Sequence, residues 1–174
     1  MNPEYSSIEE VIQALRDGKP VIITDDEDRE NEGDAIIAAQ FATTEWVAWM
    51  IRYTSGFICA PMSSERANHL ELPLMWVRNQ DPHHTAYTVS VDAANRTSTG
   101  ISAAERANTA RVLADPYATP QSLIRPGHVL PLRAKPGGVQ ERAGHTEAAV
   151  DLLELANLEP VGLMAELVND DGTM

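Results

Sequence analysis

A single cysteine, Cys59, makes an intrachain disulfide impossible and fits a reducing compartment. Positive charge is also scarce: 13 Lys and Arg stand against 26 Asp and Glu, a formal net charge of -13. That balance repels phosphodiester backbones and anionic membrane surfaces and argues against nucleic-acid or membrane partners. It leaves room for an anionic small molecule, because one site can be locally basic or carry a metal ion. No apolar stretch approaches the roughly 20 residues of a membrane span, and the N-terminus lacks the charged-then-apolar layout of a signal peptide. A cytoplasmic chain is therefore expected. Repeats and low-complexity linkers are missing too. The 174 residues, 43% of them hydrophobic, suffice for one core, so a single domain over residues 1–174 is expected.

Acid is abundant and concentrated. Asp25-Asp26-Glu27-Asp28-Arg29-Glu30-Asn31-Glu32-Gly33-Asp34 follows directly on the apolar Val21-Ile22-Ile23. Adjacent anions repel and raise one another's pKa, so such a run is either dispersed in water or gathered on a cation. A solvated loop is the ordinary outcome for an acidic block. Here Arg29 sits inside the run, Gly33 lets it turn back, and the apolar Ala35-Ile36-Ile37-Ala38-Ala39 resumes at once. An acidic tail does not normally lie between two core elements.

Ser6-Ser7-Ile8-Glu9-Glu10 reads as a helix start, with Ile8, Val11, Ile12 and Leu15 at helical spacing until Gly18, followed by a strand over residues 20–24. Thr43-Thr44-Glu45 caps a second helix carrying Val47, Met50 and Ile51. Residues 56–60 read as a strand broken by Pro61. Residues 86–91 alternate with period two and form the clearest half-buried strand. Ser102-Ala103-Ala104-Glu105 is a capping box opening a helix to about Ala114, and Thr146 opens another whose apolar residues continue to Leu158. Between them, residues 125–144 are rich in Pro, Gly and Arg. Helices and strands intermix without strict alternation, which favours an α+β fold with a mixed sheet flanked by helices.

Four other places carry reactive side chains. Ser98-Thr99-Gly100-Ile101-Ser102 precedes a helix, where free amides favour an anion, although an ordinary cap explains it equally. Arg125-Pro126-Gly127-His128 presents a histidine and an arginine. Arg142-Ala143-Gly144-His145-Thr146-Glu147 combines guanidinium, imidazole and hydroxyl at a helix N-terminus and suits phosphate, with His145 free for a metal or a proton. Glu166 lies in an apolar run, where burial would raise its pKa toward that of a general base.

Taken in order, the acidic run, Tyr87-Thr88-Val89-Ser90-Val91-Asp92-Ala93, Thr99-Gly100-Ile101-Ser102-Ala103, Arg125-Pro126-Gly127-His128-Val129 and Gly144-His145-Thr146-Glu147-Ala148-Ala149-Val150-Asp151 resemble the signature of the 3,4-dihydroxy-2-butanone 4-phosphate synthases of riboflavin biosynthesis. The resemblance implies a homodimeric lyase that converts D-ribulose 5-phosphate to the four-carbon phosphate and formate, using Mg2+, with Mn2+ able to substitute, and no organic cofactor. It assigns Glu30 and His145 to the metal. Arg29, Glu30, Asp34, Thr99, Arg142, Ala143, Gly144, His145, Thr146 and Glu166 fall to the substrate, with Arg142 and Thr146 on the phosphate. His128, Glu166, Glu32 and Cys59 are the implied catalytic positions.

The chain departs from that family at Glu105, where Asp is usual, and at His84, where Gly is expected. It also stops at Asn169-Asp170-Asp171-Gly172-Thr173-Met174, a motif after which the family usually continues. The expectation is a shortened form, or the N-terminal half of a bifunctional enzyme whose second half resembles GTP cyclohydrolase II. A catalytically silent assembly domain and a generic metal-dependent sugar-phosphate isomerase or aldolase are the rival readings.

Overall fold

The structure, a computed structural model, describes residues 5–95 and 98–174. Helix α1 (Ile8–Arg16) begins in a complete capping box, Ser7 exchanging hydrogen bonds with Glu10. Strands β1 (Val21–Thr24) and β2 (Gly33–Ala38) flank the acidic run as an antiparallel pair. Helix α2 (Thr44–Tyr53), N-capped by Thr43, leads to β3 (Cys59–Met62) and a short helix α3 (Ser64–His69) that the sequence pattern did not announce. Then come β4 (Val91–Ala93), α4 (Ala103–Ala114), β5 (Leu123–Arg133), α5 (His145–Leu155) and β6 (Gly162–Glu166).

The six strands form one mixed sheet in the order β1-β2-β6-β3-β5-β4, parallel only between β3 and β5. Side chains alternate across it, and both faces are apolar. Ile37, Ala60, Met62, Val129 and Leu163 meet α2, α3 and α4 on one face, through Val47, Met50, Ala67, Ala110 and Leu113. Ile36, Cys59, Leu130, Leu132 and Met164 meet α1 and α5 on the other, through Leu15, Ala149 and Leu153. The expected α+β fold with a mixed sheet flanked by helices is the observed one. Among the described residues, no helix is long and apolar enough to cross a membrane.

Two expectations need correction. The strand that Pro61 was to break runs through it, as far as Met62. A proline removes one ladder N–H from its strand, yet the parallel register with β5 continues through Pro61 opposite Leu132 to Met62 opposite Arg133. Residues 86–91 are not a continuous strand. Only isolated bridges, Tyr87 to Leu132 and Thr88 to Leu74, precede β4. β5, the longest of the described strands, takes in residues 125–133 of the stretch rich in Pro, Gly and Arg. Its pairing with β4 jumps from Val129 opposite Val91 to Ile124 opposite Asp92, so residues 125–128 are thrown out of the ladder.

Only half of the second capping box forms. The Ser102 hydroxyl accepts from the Glu105 amide, but the Glu105 carboxylate turns to the loop before the helix, accepting from the Ser98 and Gly100 amides and the Ser98 and Ser102 hydroxyls. The Ser98 hydroxyl leads in holding this carboxyl down at about 2; burial opposes it, and the two amides and Ser102 add to it. Because the folded value lies below the ordinary 4.5, the stabilisation is complete above about 4.5 and is lost as pH falls through about 2. Urea titrations from pH 5 to pH 2 should therefore show the stability gap between the wild type and Glu105→Gln closing across that window. A gap independent of pH would contradict the assignment.

Candidate functional site

β2 and β6 pair so that Asp34 lies directly opposite Glu166. Both continue the face that carries Ile36 and Met164, the face covered by α5. At that edge, Arg29, Glu30, Asp34, Arg142, His145, Thr146 and Glu166 line one cleft, with Tyr87 and Thr85 on its rim. Seven positions singled out from the sequence thus converge, although more than a hundred residues separate the acidic loop from Arg142.

Asp25 organises the loop. Its Oδ2 accepts from Arg29 Nη1 at 2.7 Å and the Glu30 amide at 3.1 Å, and its Oδ1 from the Glu32 amide at 2.9 Å. Burial pushes this carboxyl up, but the Glu32 amide, Arg29 and the Glu30 amide together bring it down to about 2. Asn31, at φ 55, makes the turn that brings Glu32 back beneath Asp25. Arg29 Nη1 also pairs with Glu30.

The result is an excess of negative charge. Asp25, Glu30, Glu32, Asp34 and Glu166 interact with one another, with Arg29 paired among them, while Arg142 of the same cleft is taken up by Glu147. Two like charges about 4 Å apart near a protein surface repel by about 4 kcal/mol, so one guanidinium does not offset the set. Asp34 records the imbalance. Burial first, then Glu166, Glu32, Glu30 and Asp25, push its carboxyl up to about 8, and burial followed by Glu30 and Glu166 raises Glu32. For His145 burial leads and lowers the imidazole, against the pull of Asp25 and Glu30, which favours the neutral, metal-binding form.

The donor set fits a divalent cation. Asp25, Glu30 and His145 each offer an atom within 4.8 Å of the others. His145, 6% exposed, holds Nδ1 3.6 Å from both Glu30 Oε2 and Asp34 Oδ1, and its Nε2 has no hydrogen-bond partner. Asp34 Oδ1, equally buried, has none either. Buried polar atoms left unsatisfied among carboxylates are what an ion would satisfy.

At the other end of the cleft, Gly144 precedes α5 with no side chain capping the helix. Arg142 folds over it, pairing with the buried Glu147 and donating from Nε to the His83 carbonyl at 2.8 Å and from Nη2 to Thr85 Oγ1 at 3.0 Å. A Cβ on Gly144 would stand 2.1 Å from Arg142 Nη1, so only glycine lets the guanidinium close in. Ala143 is exposed beside it.

Two expected site residues lie elsewhere in this chain. His128 projects from the β5 excursion, its amide and Nδ1 both 2.9 Å from the two oxygens of the buried Asp92. Asp92 fixes the imidazole and leaves its other nitrogen toward solvent, the side chain being 38% exposed. Gly100 packs on the Asp92 carboxylate so tightly that a Cβ would overlap it, and the exposed Thr99 next to it is not among the residues that line the cleft. Cys59 lies under the cleft floor, where burial, then Glu166 and Asp34, push its thiol up and keep it protonated. Asp92, Glu147 and Asp25 were not singled out as site residues. The partners of Asp92 and Glu147 become visible only through pairing between distant elements, and Asp25 looked like any other acid of its run.

The 3,4-dihydroxy-2-butanone 4-phosphate synthase family profile matches residues 9–174. The riboflavin biosynthesis protein RibBA of Salinispora arenicola is 58% identical over 170 residues, covering 98% of this chain and 40% of that protein. This chain thus spans about two fifths of the length of the longer relatives it matches. The 3,4-dihydroxy-2-butanone 4-phosphate synthase of Candida albicans is 54% identical over 171 residues, covering 98% of this chain and 84% of its own. A crystal structure of 3,4-dihydroxy-2-butanone 4-phosphate synthase in complex with two magnesium ions superposes with a TM-score of 0.94 at 53% identity, covering 95% of this chain and 77% of that one.

Proposed function

Since the chain belongs to the 3,4-dihydroxy-2-butanone 4-phosphate synthase family, we propose that it is a lyase of riboflavin biosynthesis that converts D-ribulose 5-phosphate to 3,4-dihydroxy-2-butanone 4-phosphate and formate with Mg2+. The observation that carries this reading is the convergence of ligand atoms from Asp25, Glu30 and His145 within 4.8 Å of one another, beside the buried, unpartnered Asp34 Oδ1.

The phosphate falls to Arg142 and Thr146. A guanidinium has five N–H donors, and three of Arg142's are spent on His83, Glu147 and Thr85, which leaves two. The uncapped first turn of α5 adds amides and a favourable dipole beside them. Glu30 and His145 would hold the metal. Bound there, Mg2+ would stabilise negative charge developing on the substrate's carbonyl oxygen. Removing a proton from the carbon next to that carbonyl needs a base within reach, and Glu32 and Glu166 are the carboxylates placed beside Asp34 to take it. Burial of Asp34 and His145 at the cleft floor excludes water from the reacting end.

His128, oriented by Asp92, serves as a further proton carrier. With Thr99 it would enter the cleft of a second copy, in a homodimer whose sites lie at the subunit boundary. Incubation with ribulose 5-phosphate and Mg2+ should release formate. Folded protein that releases no more formate than a metal-free control would overturn the reading.

A further inference from the structure

Helix α2 ends against the strand that carries Glu166. The Thr54 amide closes the last turn on the Met50 carbonyl at 3.1 Å, Thr54 bridges Leu167, and the Ser55 amide donates to the Glu166 carbonyl at 2.7 Å. Two more bonds fix the turn that follows: the Gly56 amide donates to Thr54 Oγ1 and the Phe57 amide to Ser55 Oγ, each at 3.2 Å. Beyond the turn, the Phe57 ring meets that of Tyr87 on the cleft rim, with centroids 6.4 Å apart. Ser55 is thus tied by its backbone to β6 and by its side chain to the turn.

So anchored, the Ser55 hydroxyl donates to Glu166 Oε2 at 2.6 Å. A hydroxyl has a single proton, and because Ser55 Oγ accepts from Phe57, that proton is left for the carboxylate. The other oxygen, Glu166 Oε1, accepts no hydrogen bond from the described residues, and Glu166 lines the cleft opposite Asp34. One oxygen is held and its twin is left bare. Glu32 and Asp34 both feel the Glu166 charge, and repulsion among the three would turn an untethered glutamate side chain away. A charge-assisted bond from a seated donor opposes that drift.

We propose that Ser55 is a positioning residue for the reaction, holding the Glu166 carboxylate by one oxygen so that the other is presented to the substrate. The proposal rests on the reading of Glu166 as a base of the lyase. Misplacing a reacting group by about 1 Å costs about a hundredfold in rate, so a fixed direction matters more here than the strength of the bond. Water can replace the Ser55 hydroxyl at this exposed position, but it cannot hold the carboxylate in one orientation.

Steady-state formate release by the full chain with ribulose 5-phosphate and Mg2+ separates the outcomes. Ser55→Ala should lower kcat by about tenfold to a hundredfold and leave KM within about threefold of the wild type, since Ser55 acts through Glu166. Ser55→Thr keeps the hydroxyl and should restore most of the rate. Made beside Glu166→Gln, the same Ala substitution should cost less than about threefold more, because the base it positions is gone. Ser55 is exposed, so both single variants should melt within about 3 °C of the wild type. An Ala variant as fast as the wild type, a loss that Ser55→Thr does not recover, or one that persists undiminished beside Glu166→Gln overturns the role of Ser55 alone. A wild type that releases no formate overturns the lyase reading and this inference together.

Discussion

Glu30→Ala and His145→Ala are each expected to lose formate release by at least about a thousandfold, equivalent to about 4 kcal/mol of transition-state stabilisation, together with measurable Mg2+ affinity. Stability should hardly follow. Glu30 is one of the charges that push Asp34 up to about 8, so deleting it relieves repulsion even as Arg29 loses one of its two carboxylate partners. His145 leaves a small cavity but removes a buried nitrogen without a partner. Both metal-free variants should unfold within roughly 4 °C of the wild type, the span of about 1–2 kcal/mol in a chain of this size. Calorimetry with Mg2+, a formate assay and a thermal melt on the same preparations test this. Unchanged Mg2+ affinity in both variants would move the metal elsewhere.

Gly127→Ala should have the opposite profile, with stability suffering first. An added Cβ would lie 2.0 Å from the Val91 carbonyl carbon and 2.2 Å from the Asp92 nitrogen. These are backbone atoms of β4, which cannot swing aside as a side chain can. Accommodation requires β4 and β5 to separate where the Gly127 amide donates to Ser90 Oγ and the His128 amide to Asp92. A loss of about 3 kcal/mol or more is expected, lowering the melting temperature by roughly 6–12 °C. Activity should fall as well, because the same shift frees His128 from Asp92. A variant that melts with the wild type would show that the excursion is pliable rather than seated on β4.

Local signals carried well from sequence to structure. α1 and α4 start at the serines that cap them, because a cap is decided by neighbours three residues away. The acidic loop and the run around His145 announced themselves by composition and by resemblance, and they meet in one cleft. What could not be read depends on partners far along the chain. Residues 86–91 alternate as a strand should, yet ladder formation needs a continuous neighbouring edge, and only two bridges form. β5 was hidden by Pro126, Gly127 and Pro131, residues that discourage a strand in isolation but that β3 and β4 tolerate on either side. His128 and Asp92 lie on different strands, and nothing in their spacing joins them. Glu105 shows the same limit in reverse: its position marked a cap, while its carboxylate serves the preceding loop.

The last of the described strands, β6, lies near the middle of the sheet, between β2 and β3. During synthesis from the N-terminus, the other described strands are available before it. Until residues 162–166 leave the ribosome, β2 and β3 each present an unpaired apolar edge, the kind of surface on which nascent chains stick to one another. The facing carboxylates Asp34 and Glu166 come together only when β6 slots in. Insertion of one five-residue strand therefore both covers two exposed edges and brings the two facing carboxylates together.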